Sequence, residues 1–478
     1  MGALFPRLEV ASHEPALCVG DLSVNSRQLA RLVGIHRRRL VDAGVAPGAH
    51  VGVWTQGSLD TLVALVGNAV CGVVSVPLDV KLGALELGHV MADAKPVVTF
   101  AAEVAAVQGR VAVPVLPMDV REPLEGPWRQ VDDEPLLVLY TSGTTGLPKG
   151  AVLTARNVAS NLDALAKAWQ WTARDTVVHA LPMFHVHGLV LGLFGSMRVG
   201  GELHWFPKFD PTELSQALRM GSTMLFAVPT MYHRLADGEA AVLLGLKAAR
   251  LLVSGSAALP LRDQLRVEAL TGRRVLERYG LTETLINCAV RVDGEPRAGS
   301  VGPAVDGVEV RLVDDLRAPL NVRDDATIGE LQVRGPNVFA GYLNRPEATA
   351  EVLSADGWFS TGDLACMRED GSVRIVGRRA TDLIKCGGYK VGAGEVEAAL
   401  LEHPAVKEAA VLGAPDADLG ERIVAHVVTT RVVGADELAD FVARQLSPHK
   451  RPREVYFVAE LPRNAMGKVV KARLKRVP

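Results

Sequence analysis

Between Thr141 and Thr154 the chain reads T-S-G-T-T-G-L-P-K-G-A-V-L-T. Four hydroxyls (Thr141, Ser142, Thr144, Thr145) and three glycines (Gly143, Gly146, Gly150) surround one cation, Lys149. That set suits an anion. Glycines let backbone N–H groups turn toward a phosphate, hydroxyls add donors, and the lysine adds charge. It is not the G-x-x-x-x-G-K-[ST] phosphate loop, because Pro148 precedes Lys149 and Gly150 follows it. A plain Gly/Ser/Thr linker is the competing reading. The apolar run Leu136-Leu137-Val138-Leu139-Tyr140 just before the loop, and a second apolar run after it, argue instead for a loop held between structured elements.

Apolar runs with strand character cover His50 to Trp54, Gly72 to Pro77, Pro96 to Phe100, Leu136 to Tyr140, Val177 to Leu181, Met224 to Val228 and Leu251 to Ser254. They alternate with helical patterns such as Pro211 to Arg219 and Leu261 to Leu270. The alternation predicts an α/β fold, a large N-terminal domain of parallel sheets covered by helices. From about Val301 the pattern becomes short alternating strands (Val308 to Val313, Gly329 to Arg334, Val373 to Val376), which predicts a β-rich layer. A break falls near Gly377 to Asp382. Beyond it a helix (Gly394 to Leu401), two strands (Ala409 to Gly413, Ile423 to Thr429) and a second helix (Ala435 to Leu446) make a small α+β unit. The predicted division is residues 1–379 and 380–478.

A chain of 478 residues exceeds what one core usually supports. Its 48% apolar and 22% charged residues are those of a soluble globular protein. A net charge of −2 argues against nucleic-acid binding through bulk basicity. Cys18, Cys71, Cys288, Cys366 and Cys386 have neither paired spacing nor an even count, pointing to a reducing compartment and away from a zinc site. No signal peptide is visible, and Pro6 spoils a myristoylation signal, so the expected location is cytoplasmic, without membrane association. Thr61 to Val80 is apolar, but Gly67, Asn68, Gly72 and Pro77 interrupt it, which predicts a buried helix and strand rather than a membrane span.

The phosphate-binding loop resembles that of the adenylate-forming superfamily, which includes acyl-CoA synthetases, luciferases and peptide-synthetase adenylation domains. Gly255-Ser256-Ala257, Tyr279-Gly280-Leu281-Thr282-Glu283, Thr361-Gly362-Asp363, Gly377-Arg378 and Gly467-Lys468 follow in the family's order. The resemblance implies ATP, Mg²⁺ and coenzyme A as cofactor and co-substrates, and a mobile C-terminal lid. It implies an ATP site formed by the loop, by Gly255, Ser256 and Ala257, and by Tyr279 and Gly280 beneath adenine. Thr282 would donate to phosphate, Glu283 would bind Mg²⁺, and Asp363 with Arg378 would take the ribose hydroxyls. Lys468 is the implied cation for adenylation. A lone Y-G-x-T-E or T-G-D is a weak signal, and a basic tail of Arg463, Lys471, Arg473, Lys475 and Arg476 surrounds Lys468. Gly387, Gly388, Tyr389 and Lys390 would face the thiol tunnel, with Lys390 and the basic tail meeting the phosphates of coenzyme A. The implied hinge lies in or beside Arg379 to Asp382, and one residue beyond the commonest spacing between Gly377-Arg378 and Gly387-Gly388 puts Ala380 or Thr381 at the place usually held by a charged residue.

Leu181-Pro182-Met183-Phe184-His185-Val186-His187-Gly188 corresponds to the family's acyl-pocket segment, with His185 at the gating position. His187, Arg234 and Arg278 complete the candidate substrate site. Two arginines walling an acyl pocket are costly unless an anion binds there. Together with Glu277-Arg278-Tyr279-Gly280 and Asp382 to Val391, this pattern resembles malonyl-CoA and methylmalonyl-CoA synthetases. The implied substrate is malonate or methylmalonate, its free carboxylate paired with Arg278 assisted by His187 or Arg234. The alternative is a stand-alone adenylation enzyme loading another small acid onto coenzyme A or a carrier protein. The absence of a carrier domain after Pro478 favours the ligase.

Overall fold

The structure is a computed structural model. It describes residues 2–474 except Ala11, 142–147, Glu295, Pro296, Ala298, 379–381, Gly387, Gly388, Ser447 and 464–468. Two large sheets dominate. One has seven strands, in the order Gly341–Tyr342, Lys149–Thr154, Pro135–Thr141, Val74–Leu78, His50–Trp54, Val98–Ala101, Val115–Pro117. Its last five strands are parallel. The other has eight, in the order Leu285–Ala289, Val275–Leu281, Leu251–Ser254, Met224–Ala227, Thr176–His179, Glu202–Trp205, Pro15–Val19, Leu22–Asn25, parallel except at its two ends. Strands buried on both faces read as unbroken apolar runs, which is why Leu136 to Leu139 are all buried.

Between the two sheets lies the largest core. Leu62, Leu65, Leu137, Leu153, Leu162, Leu165, Val177, Phe226 and Val253 share it, joining both sheets through the helices Leu59–Val70 and Ala155–Ala168. The apolar 61–80 segment is the expected buried pair, helix Leu59–Val70 and strand Val74–Leu78. No helix among the described residues is long and apolar enough to cross a membrane. On the outer face of the eight-stranded sheet, Leu225, Leu252 and Val275 pack with the helices Pro211–Arg219 and Pro229–Ala236 in a second core.

The predicted β-rich layer is a five-stranded antiparallel sheet ordered Pro319–Leu320, Glu309–Val313, Gly329–Arg334, Phe359–Met367, Val373–Arg378. After it comes a smaller C-terminal α+β unit. Tyr389–Gly392, Leu383–Cys386, Gly420–Thr429 and Val406–Asp416 are antiparallel, and Glu454–Phe457 joins Gly420–Thr429 in parallel. Its own core of Ile384, Val391, Val396, Leu400, Val411, Ile423 and Leu438 is separate from those of the large domain. The N-terminal body meets it where Arg262 donates its backbone N–H to Glu402 (3.1 Å) and its guanidinium to the Val406 carbonyl (2.9 Å).

Candidate active site

The anion-binding loop joins two antiparallel strands, with Thr141 opposite Lys149. Its inner residues, Ser142, Gly143, Thr144 and Thr145 included, lie outside the described residues. Lys149 Nζ sits 4.9 Å from the centroid of the Tyr342 ring. Tyr342 is brought there by pairing of Gly341–Tyr342 with Ala151 and Val152, and its hydroxyl donates to Glu283 Oε1 at 2.7 Å. Burial, and then Glu283, push the phenol well above its ordinary range, so it remains a donor. Tyr342 belongs to no motif that sequence reasoning singled out. Its only signal is an aromatic after a glycine, and the strand pairing that places it spans about 190 residues. Glu283 Oε2 makes no hydrogen bond among the described residues, so the carboxylate retains an oxygen for a ligand. Mg²⁺ is commonly held by one or two carboxylates together with phosphate oxygens and water, and this single carboxylate fits that demand. No cluster of three or more metal-ligating side chains occurs among the described residues.

Tyr279, Gly280, Thr282 and Glu283 lie in or beside a tight hairpin between Val275–Leu281 and Leu285–Ala289. A Cβ at Gly280 would stand 1.7 Å from the Leu285 carbonyl oxygen, so no other residue fits. The Tyr279 hydroxyl donates to Asp363 Oδ2 at 2.5 Å, and Arg378 Nε lies 2.7 Å from Asp363 Oδ1. Asp363 and Arg378 face each other across adjacent strands. The carboxylate is buried while the guanidinium is half exposed, leaving an acceptor and a donor side by side for a vicinal diol. Thr282 is half-buried beside this cluster in sequence, and its side chain makes no hydrogen bond among the described residues.

On the inner face of the eight-stranded sheet, Arg278 is only 7% exposed. Its guanidinium lies over Gly255, where a Cβ would meet Cζ and Nε at 2.3 Å. Nη2 reaches Ser256 Oγ at 3.4 Å, and Nε has no partner among the described residues. Among the described residues no carboxylate pairs with it, and burial alone pulls it down to about 10. It therefore stays charged at neutral pH. His187 is 4% exposed, and neither ring nitrogen has a partner among the described residues. Burial first, then Arg278 and the neighbouring His179 and His185, hold the imidazole far below its ordinary value. A neutral ring so placed can donate from one nitrogen. His187 opens a π-helical turn, His187–Phe194, and stacks 6.1 Å from Phe226; such turns frequently mark functional sites. His185 is half-buried with its ring 4.4 Å from Phe184. Ser256 holds φ +73°, a sparsely populated backbone for a non-glycine, and Ala257 beside it is exposed.

Arg234 does not join this group. It is exposed in the last turn of the helix Pro229–Ala236, and its side chain makes no hydrogen bond or ion pair among the described residues. The helix instead buries Tyr232, whose hydroxyl donates to the Leu225 and Val253 carbonyls, and this turns Arg234 outward. Glu277, quoted only as part of a motif, proves to be a buried acid on the opposite face from Arg278. It accepts from the Leu259 N–H at 3.0 Å, has one oxygen without a partner among the described residues, and is pushed up to about 7 by burial.

The clash at Gly255 supplies a probe, because the atoms a Cβ would strike are the mobile end of Arg278. Gly255→Ala is expected to fold normally while displacing the guanidinium. Steady-state kinetics should then show the KM for the anionic substrate raised on the order of tenfold, more than any change in the KM for ATP. A KM for the anionic substrate within twofold of wild type would contradict the placement of Arg278.

In the C-terminal unit, Tyr389 is 55% exposed and stacks on His449 with ring centroids 4.1 Å apart. Gly387, Gly388 and the Lys390 side chain lie outside the described residues, as do Gly467 and Lys468. The basic tail corrects one expectation. Lys471 is not available to phosphates, because it lies 2.5 Å from Asp382 Oδ1 and 2.6 Å from Glu397 Oε1. Arg463 likewise donates to Glu408 at 2.7 Å.

Comparison with known proteins agrees with this arrangement. Residues 7–343 match the family described as AMP-binding enzyme, and residues 395–468 match its C-terminal domain. A mitochondrial malonate–CoA ligase of Homo sapiens is 36% identical over 463 residues, covering 85% of this chain and 79% of that one. Among solved structures, a malonyl-CoA ligase ternary product complex with methylmalonyl-CoA and AMP bound is 50% identical, with 96% and 100% of the two chains covered and a TM-score of 0.72. The ATP-bound MatB of Rhodopseudomonas palustris is 34% identical, covering 99% and 98%, with a TM-score of 0.90. With Thr141 and Lys149 on paired strands, its Tyr279–Asp363–Arg378 cluster and both family segments in order, this chain belongs to the AMP-binding enzyme family.

Proposed function

We propose that the protein joins malonate or methylmalonate to coenzyme A at the expense of ATP, giving the acyl-CoA, AMP and pyrophosphate. The observation that carries this reading is Arg278, a charged guanidinium buried beside His187, with no carboxylate paired to it and no partner on the imidazole among the described residues. A site that leaves such a charge uncompensated suits a substrate that brings its own anion, and a fatty or aryl pocket has no use for it.

In the first half-reaction one carboxylate oxygen of the diacid attacks the α-phosphorus of ATP, the bond to the β-phosphate oxygen breaks, and pyrophosphate leaves. The second carboxylate is held by Arg278, with His187 donating to it. The loop from Thr141 to Lys149 cradles the phosphates, with Thr282 as a further donor. Tyr279 supports adenine, Asp363 accepts from the ribose hydroxyls, and Arg378 donates to the same sugar. Glu283, oriented by the Tyr342 hydroxyl, would hold Mg²⁺, whose charge offsets that of the phosphate oxygens. Lys468 supplies the cation at the reacting phosphate and carboxylate. In the second half-reaction the coenzyme A sulfur attacks the acyl carbon and AMP departs. His185 lines the acyl entrance, and Gly387, Gly388, Tyr389 and Lys390 border the thiol's approach.

Residues 380–478 act as a lid on 1–379 and turn between the half-reactions. Two neighbours support that division: the product complex matches with the higher identity but the lower TM-score, as two rigid parts in different arrangement produce. All five cysteines are free, which supports a reducing, cytoplasmic compartment.

The reading is tested by offering malonate, methylmalonate, acetate and octanoate with ATP, Mg²⁺ and coenzyme A, scoring AMP and thioester together. Diacids should exceed the monoacids in kcat/KM by at least about 10²-fold, the discrimination a buried charged partner supplies. Release of AMP with no diacid, or equal turnover of acetate, would end it.

A further inference from the structure

One phenol touches two opposite charges. The Lys149 ammonium sits 4.9 Å from the centroid of the Tyr342 ring, and the Tyr342 hydroxyl donates to Glu283 Oε1 at 2.7 Å. A cation and an anion that share a neighbour attract each other, and a direct pair would leave neither for a ligand. Among the described residues they make no such pair, with each other or with any third residue. Tyr342 stands where that pair would otherwise form.

The backbone fixes the phenol from both sides. Gly341–Tyr342 pairs with Ala151 and Val152, the Ala340 N–H donates to the Val152 carbonyl at 2.9 Å, and the Leu343 N–H donates to the Gly150 carbonyl at 2.8 Å. Toward the acid, the Phe339 N–H donates to the Glu283 carbonyl at 2.8 Å. The Phe339 ring, 2% exposed, meets the Tyr342 ring edge-on with centroids 4.9 Å apart, and the Tyr342 N–H donates to Thr349 Oγ1 at 2.9 Å. Residues 339–343 are thus tied both to the strand that begins at Lys149 and to the residue that bears the carboxylate. None of these ties uses the hydroxyl. Burial, and then Glu283, keep the phenol protonated, so the O–H is a constant donor to the acid. An outer hydrogen bond of this kind orients a metal-binding carboxylate, and losing it typically costs about 10- to 100-fold in metal affinity.

We propose that Tyr342 is a positioning residue for magnesium-bound ATP with two separable parts, a hydroxyl that orients Glu283 toward the metal and a ring that keeps Lys149 off Glu283 and available to phosphate. This rests on the roles of Glu283 and Lys149 given above. The two parts predict different losses. Removing only the hydroxyl weakens the contribution of the metal, whereas removing the ring as well lets the ammonium turn to the carboxylate and weakens binding of the nucleotide even without metal.

The test is equilibrium binding of ATP by titration calorimetry, once in EDTA and once in saturating Mg²⁺, for wild type, Tyr342→Phe, Tyr342→Met and Glu283→Gln. No acid or coenzyme A is present, so the result is independent of which substrate the enzyme activates. Tyr342→Phe keeps the ring and its packing. Its Kd in EDTA should stay within twofold of wild type while its Kd in Mg²⁺ rises on the order of tenfold, as in Glu283→Gln. Tyr342→Met, whose flexible side chain refills the space, should show that loss and in addition bind ATP about fivefold more weakly in EDTA. A Tyr342→Phe that matches wild type in Mg²⁺ while Glu283→Gln is weakened would overturn this proposal alone, as would equal weakening of Tyr342→Phe in both conditions, the mark of a merely structural role. A Tyr342→Met no weaker than Tyr342→Phe in EDTA would refute the part given to the ring. Wild-type binding by Glu283→Gln in both conditions would remove the metal assignment beneath the proposal as well.

Discussion

Arg278→Met is expected to abolish the preference for diacids. Removing the guanidinium leaves the substrate's second carboxylate desolvated and unpaired, which costs about 2–4 kcal/mol, or roughly 30- to 10³-fold in kcat/KM for malonate. Acetate, which never used that contact, should change little or improve. The same substitution should stabilise the unliganded protein. The guanidinium's folded-state value is lowered by burial from the ordinary arginine range to about 10, so its penalty is whole at neutral pH and is relieved only as pH climbs above about 10. Thermal unfolding should show the variant melting above wild type at pH 7, and malonate should raise the wild-type melting temperature without moving the variant's. Retention of malonate preference by Arg278→Met would remove the central support for a diacid substrate, whatever happened to stability.

Lys468→Ala is expected to separate the half-reactions. Adenylation brings a carboxylate against a phosphate, and one cation placed where that charge builds is worth about 10²–10³-fold. Thiolation of an adenylate already made does not meet that barrier. Pyrophosphate release from ATP and malonate should therefore fall by about that factor, while malonyl-CoA formation from supplied malonyl-adenylate stays near wild type. Equal losses in both assays would mean that Lys468 serves the fold or a shared step.

The two variants probe different parts of the molecule, and those parts were not equally legible beforehand. His50–Trp54, Leu251–Ser254, Gly329–Arg334 and Pro211–Arg219 fall where the apolar pattern places them. Doubly buried strands and amphipathic helices leave local signatures that turn residues then bound. The hairpin carrying Arg278 and Tyr279 leaves no such signature. Glu277, Arg278, Gly280 and Glu283 interrupt any apolar period, because these residues face polar partners, a loop and a close backbone approach rather than a continuous core. Only the motif order made them visible. Arg234 shows the opposite failure, since a basic residue near a pocket-lining segment says nothing about which way a helix turns it.

What the chain's order of residues determined by itself is the chemistry on offer: a hydroxyl- and glycine-rich loop with one lysine, a Y-G-x-T-E segment, a late G-K, and the helices and strands that carry them. What the tertiary structure alone decided is which charges are answered. Tyr279 reaches Asp363 across 84 residues and Lys471 reaches Asp382 across 89, whereas Arg278 is buried with no acid paired to it among the described residues. The energy of a charge depends on its distance to partners and on the water removed around it, and neither quantity exists until distant segments are packed together.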